Sequence, residues 1–84
     1  TIIEAAQILL EHEALSVCAT CTHPVLSSEA VERLNQSPIK EIVVTDTIPT
    51  TNLPGKFTTL TVSDLLAEAI KRIHLETSVS SLFI

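Results

Sequence analysis

Three segments of the chain carry apolar residues at three- and four-residue steps, the spacing that places them on one face of an α-helix. The predicted helices run from Ile2 to about Glu13, from a cap at Ser27 to between Asn35 and Pro38, and from Thr61 to about His74. The apolar side of the third helix consists of Val62, Leu65, Leu66, Ala69, Ile70 and Ile73. Thr61 and Asp64 resemble a capping box in which Asp replaces the usual Glu. We expect these stripes to pack on a sheet.

Three further segments have the β-branched composition of strands, and they run from Leu15 to Thr22, from Glu41 to Thr47 and around Phe57 to Leu60. The run Ile42-Val43-Val44 does not alternate, which is typical of a strand covered on both faces. Pro49, Asn52, Pro54 and Gly55 mark a loop before the third strand.

The order helix, strand, helix, strand, loop, strand, helix predicts an α/β fold, a parallel sheet with flanking helices. In such a layer, a strand normally feeds each helix, yet the chain starts on a helix. Thr1 therefore stands where a loop would open into a helix N-terminus, the place at which backbone N–H groups bind phosphates. We expect the sequence to be cut at a binding loop.

Composition narrows the class of protein without naming one. The 84 residues include 45% apolar but only 2% aromatic residues, so the core is expected to consist of Ile, Leu, Val and Ala. Ten acidic and five basic residues give a net charge of -5, which argues against nucleic acid and anionic lipid as partners. The chain shows no apolar run of the ~20 residues that span a bilayer and no secretory signal. These features favour a soluble, intracellular protein.

Cys18, Cys21 and His23 form the most conspicuous candidate site, because thiolates and imidazole are zinc ligands and paired cysteines can form a redox disulfide. On a strand, however, Val17, Ala19 and Cys21 share one face while Cys18 lies on the other. We therefore favour buried cysteines that act as small hydrophobes.

Three other polar features leave two interpretations each. His23 is either a general base or a residue that closes a strand and bonds loop backbone. Asp46 is either a ligand-binding carboxylate or a solvated turn residue. The segment with the hydroxyls of Ser78, Ser80 and Ser81, near the end of the sequence, is either an anion nest or a frayed terminus.

Four stretches in order, "CTHPVLSSEAVERL", "EIVVTDTIP", "LLAEAIKRIH" and "SVSSLF", resemble the C-terminal part of ribose-phosphate pyrophosphokinases, also called phosphoribosyl pyrophosphate synthetases. The resemblance covers residues 1–84. It implies the C-terminal half of a type I phosphoribosyltransferase-like domain, with the N-terminal domain and the aspartate-rich phosphoribosyl-binding loop outside this sequence. Relatives usually carry an aromatic residue and an alanine in place of Cys18 and Cys21.

The resemblance also implies a function in nucleotide biosynthesis. These enzymes transfer diphosphate from ATP to ribose 5-phosphate, with Mg²⁺ as cofactor, in the cytoplasm and as homo-oligomers. Thr1 matches the threonine that holds the 5-phosphate. Four residues match the allosteric site for phosphate or ADP: Ser78, Val79, Ser80 and Phe83.

No catalytic residue and no metal ligand of the family matches a position of this sequence, so the segment alone is expected to be inactive. Two alternatives stay open. In the first, the chain would be a non-enzymatic assembly or regulatory module that pairs with full-length synthetase. In the second, it would be a small thiol or zinc protein.

Overall fold

The computed structural model describes residues 1–83 and contains every predicted helix and strand in the predicted order. The elements are α1 (Ile2–Glu11), β1 (Cys18–Thr20), α2 (Ser28–Gln36), β2 (Glu41–Thr45), β3 (Phe57–Leu60), α3 (Ser63–His74) and a short 3-10 turn (Ser80–Phe83). None of the described helices is both long and apolar enough to cross a bilayer.

β1 is the element whose predicted length is wrong, since it has three residues and not the whole stretch from Leu15 to Thr22. Leu15 is fully exposed. Single backbone bonds continue the pairing on either side, from Lys40 N–H to the Val17 carbonyl (2.8 Å) and from Cys21 N–H to the Val43 carbonyl (3.0 Å). An irregular extension of this kind leaves both cysteines at the ends of the strand.

The three strands form one parallel sheet in the order β1-β2-β3, which confirms the predicted architecture. The register aligns Ala19, Ile42 and Phe57 in a row across the sheet, and all three are buried. Ala6 of α1 and Leu34 of α2 belong to the same buried cluster, so both helices pack on this face.

The opposite face of the sheet is open. Its central row is Thr20, Val43 and Thr58, with Val43 half-buried, so burial alternates along β2. The expectation that Ile42-Val43-Val44 is covered on both faces is therefore wrong for Val43. The physical reason is that α1 and α2 both lie on the Ile42 side, and the described residues place no helix in the core on the other side.

α3 carries its apolar stripe outside the core. None of its residues is buried, and Leu66, Ile70 and Ile73 are each more than half exposed. The radius of gyration is 16.6 Å, against about 12 Å for a compact domain of this length. The expectation that this stripe packs on the sheet of its own chain is wrong, because α3 leaves the end of β3 without joining the buried cluster.

Candidate functional site

The carboxyl ends of β1 and β2 are joined by a network of threonine hydroxyls. The Thr22 carbonyl accepts hydrogen bonds from Oγ1 of Thr45 (2.5 Å) and of Thr47 (3.0 Å). His23 Nδ1 lies 2.8 Å from the Thr47 hydroxyl. This network fixes the loop after β1 to the loop after β2, at the sheet edge where parallel α/β folds bind ligands.

The carbonyl of His23 accepts from Val25 N–H at 2.9 Å, so the residue bonds loop backbone as the structural interpretation predicts. The imidazole of His23 is oriented by a side chain. Its partner is the hydroxyl of Thr47, and among the hydrogen bonds of residues 1–83 no carboxylate contacts the imidazole. A general base of the Ser-His-Asp type needs an acidic partner that stabilises its charged form. The geometry therefore favours a role for His23 in holding the loop.

Asp46 is an exposed turn residue, as one of the two interpretations predicted, and its carboxylate also caps α3 from the end of β2. Its Oδ1 accepts a hydrogen bond from Val62 N–H at 2.9 Å, and its own N–H donates to the Leu60 carbonyl at 3.1 Å. The Val62 bond, helped by the Thr61 side chain, lowers the pKa of Asp46 below its ordinary value. A carboxylate at this position is favourable for the helix dipole.

The predicted capping box of Thr61 and Asp64 does not form. Val62 is the N-cap and makes no side-chain cap bond, while the Thr61 hydroxyl accepts from Ser63 N–H at 3.1 Å. Sequence reasoning missed the replacement, because Asp46 lies 16 residues before its partner. No local spacing could have indicated it.

Thr1 lies exposed at the start of α1, and its carbonyl accepts from Ala5 N–H at 2.9 Å. A cavity of 170 Å³ is lined by Thr1 and by Arg33 of α2, among other residues. The adjoining cavity, of 240 Å³, is lined by Ile2 together with Cys21 and His23. The α1 N-terminus thus lies next to the loop that leaves the carboxyl end of β1. The cation at Arg33 had not been singled out from the sequence.

The segment from Ser78 to Phe83 folds back on α3 and is not frayed. The hydroxyls of Ser78 and Ser80 lie 2.9 Å apart, Leu82 N–H donates to the Val79 carbonyl at 3.0 Å, and Phe83 is 72% exposed. Arg72 contacts this segment from α3. Among the hydrogen bonds of residues 1–83, none joins this segment to Thr1.

The cysteines are exposed, so their interpretation as buried hydrophobes is wrong. Both Cys18 and Cys21 are free thiols, at opposite ends of an edge strand too short to enclose them. Within residues 1–83, no three His, Cys, Asp or Glu side chains lie close enough together to hold a metal ion.

Comparison with known proteins gives one family. The model of the phosphoribosyl synthetase-associated domain matches residues 1–84. Proteins named ribose-phosphate pyrophosphokinase are 51% identical in Caldanaerobacter subterraneus and 54% identical in Bacillus subtilis, in each case over 99% of this chain and 27% of the relative. The chain therefore spans about a quarter of the length of these relatives.

A solved structure has the same fold. The crystal structure of phosphoribosylpyrophosphate synthetase from Mycobacterium smegmatis superposes with a TM-score of 0.82 at 35% identity, over 89% of this chain and 26% of that one. The resemblance seen in the sequence motifs is confirmed. The chain belongs to the phosphoribosyl synthetase-associated domain family.

Proposed function

We propose that this chain corresponds to the C-terminal quarter of a ribose-phosphate pyrophosphokinase. The observation that carries the proposal is the match of the whole chain to relatives of that name. In the proposed reaction, the 1-oxygen of ribose 5-phosphate bonds to the β-phosphorus of ATP and loses its proton. The bond from that phosphorus to the α-phosphate oxygen breaks, and AMP leaves.

The part assigned to this chain is to bind the 5-phosphate of the sugar. The N-terminus of a helix attracts anions through free N–H groups and the helix dipole, and the proposal gives the Thr1 hydroxyl and N–H this role. Arg33 lines the same cavity as Thr1, and a positively charged residue there supports the proposal. Guanidinium groups form charge-assisted hydrogen bonds with phosphate oxygens.

Mg²⁺ and ATP belong to the proposal for the whole enzyme, in which the ion would neutralise charge on the phosphates. The described residues do not fit a Mg²⁺ site, since they bring no three candidate ligands together. Its ligands would be substrate phosphates and residues beyond this sequence. For this reason we propose that the segment alone is inactive.

The proposal includes an effector site at Ser78, Val79, Ser80 and Phe83, which would bind phosphate or ADP. The neighbouring hydroxyls of Ser78 and Ser80 support it, because one donates within the pair and the other keeps its hydrogen for an anion. Further cations would have to come from other parts of a homo-oligomer. A cytoplasmic location would follow from the proposed role in nucleotide biosynthesis.

A chimera tests the catalytic proposal. The matching 85 residues of the Bacillus subtilis relative, which are 54% identical, are replaced by this chain. We expect the chimera to form AMP and phosphoribosyl pyrophosphate from ATP and ribose 5-phosphate, and the 84-residue chain alone to form neither. A chimera that folds, as judged by circular dichroism and gel filtration, but forms no product would refute the proposal.

The role of Thr1 is tested in the same chimera. Thr1→Val removes the hydroxyl and is expected to raise the KM for ribose 5-phosphate about tenfold, the loss of one hydrogen bond to a charged group. Thr51→Val is the matched control, because Thr51 is also exposed and lies in the loop before β3. Equal KM values for the two variants would contradict the assignment.

The exposed stripe of α3 favours a second candidate, a non-enzymatic module that pairs with full-length synthetase. Leu66, Ile70 and Ile73 offer apolar surface that the described residues do not cover. Mixing the chain with the Bacillus subtilis enzyme separates the two candidates. A module would co-elute with that enzyme and change its activity, whereas a segment that functions only in cis would leave it unchanged.

A further inference from the structure

We propose that Arg72 is a positioning residue that holds the segment from Ser78 to Ser80 in the conformation that binds the effector anion. This inference rests on the effector site of the proposed function. Arg72 Nη1 donates to the Ser78 carbonyl at 3.1 Å and to the Ser81 hydroxyl. One side chain of α3 thus contacts the segment on both sides of Ser80.

The end of α3 brings the segment back to Arg72. Thr77 N–H donates to the Arg72 carbonyl at 2.8 Å, and Glu76 N–H donates to the Ile73 carbonyl at 3.2 Å. Glu76 has φ 56°, in the left-handed region. These two bonds and this conformation define a Schellman motif, in which the chain reverses after the helix. The reversal places Ser78 alongside the last turns of α3.

The guanidinium is itself held in place. Arg72 Nε donates to Oε1 of Glu68, one turn earlier, at 3.0 Å. An isolated pair of this kind contributes little to helix stability. Here it orients the planar guanidinium, so that Nη1 is directed at the Ser78 carbonyl and the Ser81 hydroxyl. The hydroxyl of the same residue, Ser78, lies 2.9 Å from that of Ser80.

A lysine could not replace this arrangement. Its ammonium carries the same charge but lacks the fixed planar fork that contacts a carboxylate and a second acceptor at once. The substitution Arg72→Lys therefore separates geometry from charge. If Arg72 acted only through its charge, lysine would preserve anion binding.

Inorganic phosphate is the probe, titrated into the chimera that carries this chain, because other parts of the homo-oligomer would supply the further cations of the site. Amide hydrogen exchange of the peptide that contains Ser78 and Ser80 is followed by mass spectrometry. We expect saturable protection in the wild-type chimera and at least a tenfold weaker affinity in Arg72→Lys. The matched control is Lys71→Gln, which removes an exposed positive charge from the neighbouring position and should bind normally. Ser81→Ala, which deletes one contact of Nη1, should weaken binding by a smaller factor.

Amide hydrogen exchange provides the structural readout. Exchange of Leu82 N–H, bonded to the Val79 carbonyl at 3.0 Å, should accelerate in Arg72→Lys and stay slow in Lys71→Gln. Saturable binding of phosphate with equal affinity in the wild type and in Arg72→Lys would overturn this inference and leave the effector site in place. Absence of saturable protection by phosphate in the wild-type chimera would overturn the effector site and this inference together.

Discussion

Lys56 is expected to stabilise the chain by closing the C-terminal end of α2, and its removal tests how the helix is anchored. Its Nζ donates to the carbonyls of Leu34 (3.2 Å), Ser37 (3.0 Å) and Ile39 (2.9 Å). The last carbonyls of a helix have no partner within the helix, and a cation there also suits the dipole. A residue 17 to 22 positions later in the chain therefore satisfies this terminus.

The substitution Lys56→Met keeps most of the aliphatic stem and removes the ammonium. The Leu34 carbonyl would retain bonds from Ser37 N–H (3.1 Å) and Ser37 Oγ (2.6 Å), whereas Lys56 is the side-chain donor to the other two carbonyls. Hydrogen bonds that involve a charged group contribute about 1.5 to 3 kcal/mol, and water can reach part of this site. We therefore expect the free energy of unfolding to fall by about 2 kcal/mol.

Urea unfolding of the 84-residue chain, followed by circular dichroism at low concentration, measures this change. With a slope of about 1 kcal/mol per molar urea, the midpoint should fall by about 2 M. Lys40→Met is the matched control. Lys40 and Lys56 line one surface depression, but Lys40 makes no side-chain hydrogen bond among the described residues. If the two variants unfold within about 0.5 kcal/mol of each other, the proposed role of Lys56 is wrong.

Four further predictions concern stability, association and reactivity. Asp46→Asn should lower the urea midpoint at pH 7, because the pKa of the Asp46 carboxyl is lowered in the folded chain. The difference in midpoint between wild type and variant should disappear as the pH falls through that pKa, which lies below the ordinary value of 3.8. A constant difference down to pH 2 would contradict the charged cap. Glu76→Gly should raise the free energy of unfolding by about 1 kcal/mol, since φ 56° suits glycine, and a lower urea midpoint would refute this. The wild-type chain should self-associate as its concentration rises in sedimentation velocity, and Ile70→Glu, at a residue 68% exposed on α3, should reduce this association; identical sedimentation would count against the stripe as the contact surface. Both Cys18 and Cys21 should react with a thiol reagent without denaturant, whereas protection until unfolding would show that they are buried.

The kinds of elements and their order were predictable because they depend on local spacing. Apolar residues at three- and four-residue steps identified α1, α2 and α3, and β-branched runs identified β2 and β3. The short motifs in register also predicted the family, which the comparisons confirm. The length of β1 was overestimated, because composition does not reveal how many residues find a partner strand.

The candidate binding regions were predictable only as positions. The sequence placed Thr1 at a helix start and the serines after α3, and their proposed roles came from the family resemblance. It did not indicate that Arg33 lines the cavity beside Thr1 or that Arg72 holds the segment that carries the serines. These contacts depend on which faces of two elements meet, and no single periodicity contains that information.

The sequence by itself determined an alternating α/β chain with a parallel sheet, because helix and strand periods, caps and crossovers are properties of neighbouring residues. The tertiary structure alone decided that Asp46 caps α3, that Lys56 closes α2, and that the two cysteines are exposed. It also decided that α1 and α2 share one face of the sheet, while residues 1–83 leave the stripe of α3 uncovered. An apolar stripe shows that a helix needs a partner surface, but which surface covers it is set by the packing of the whole molecule.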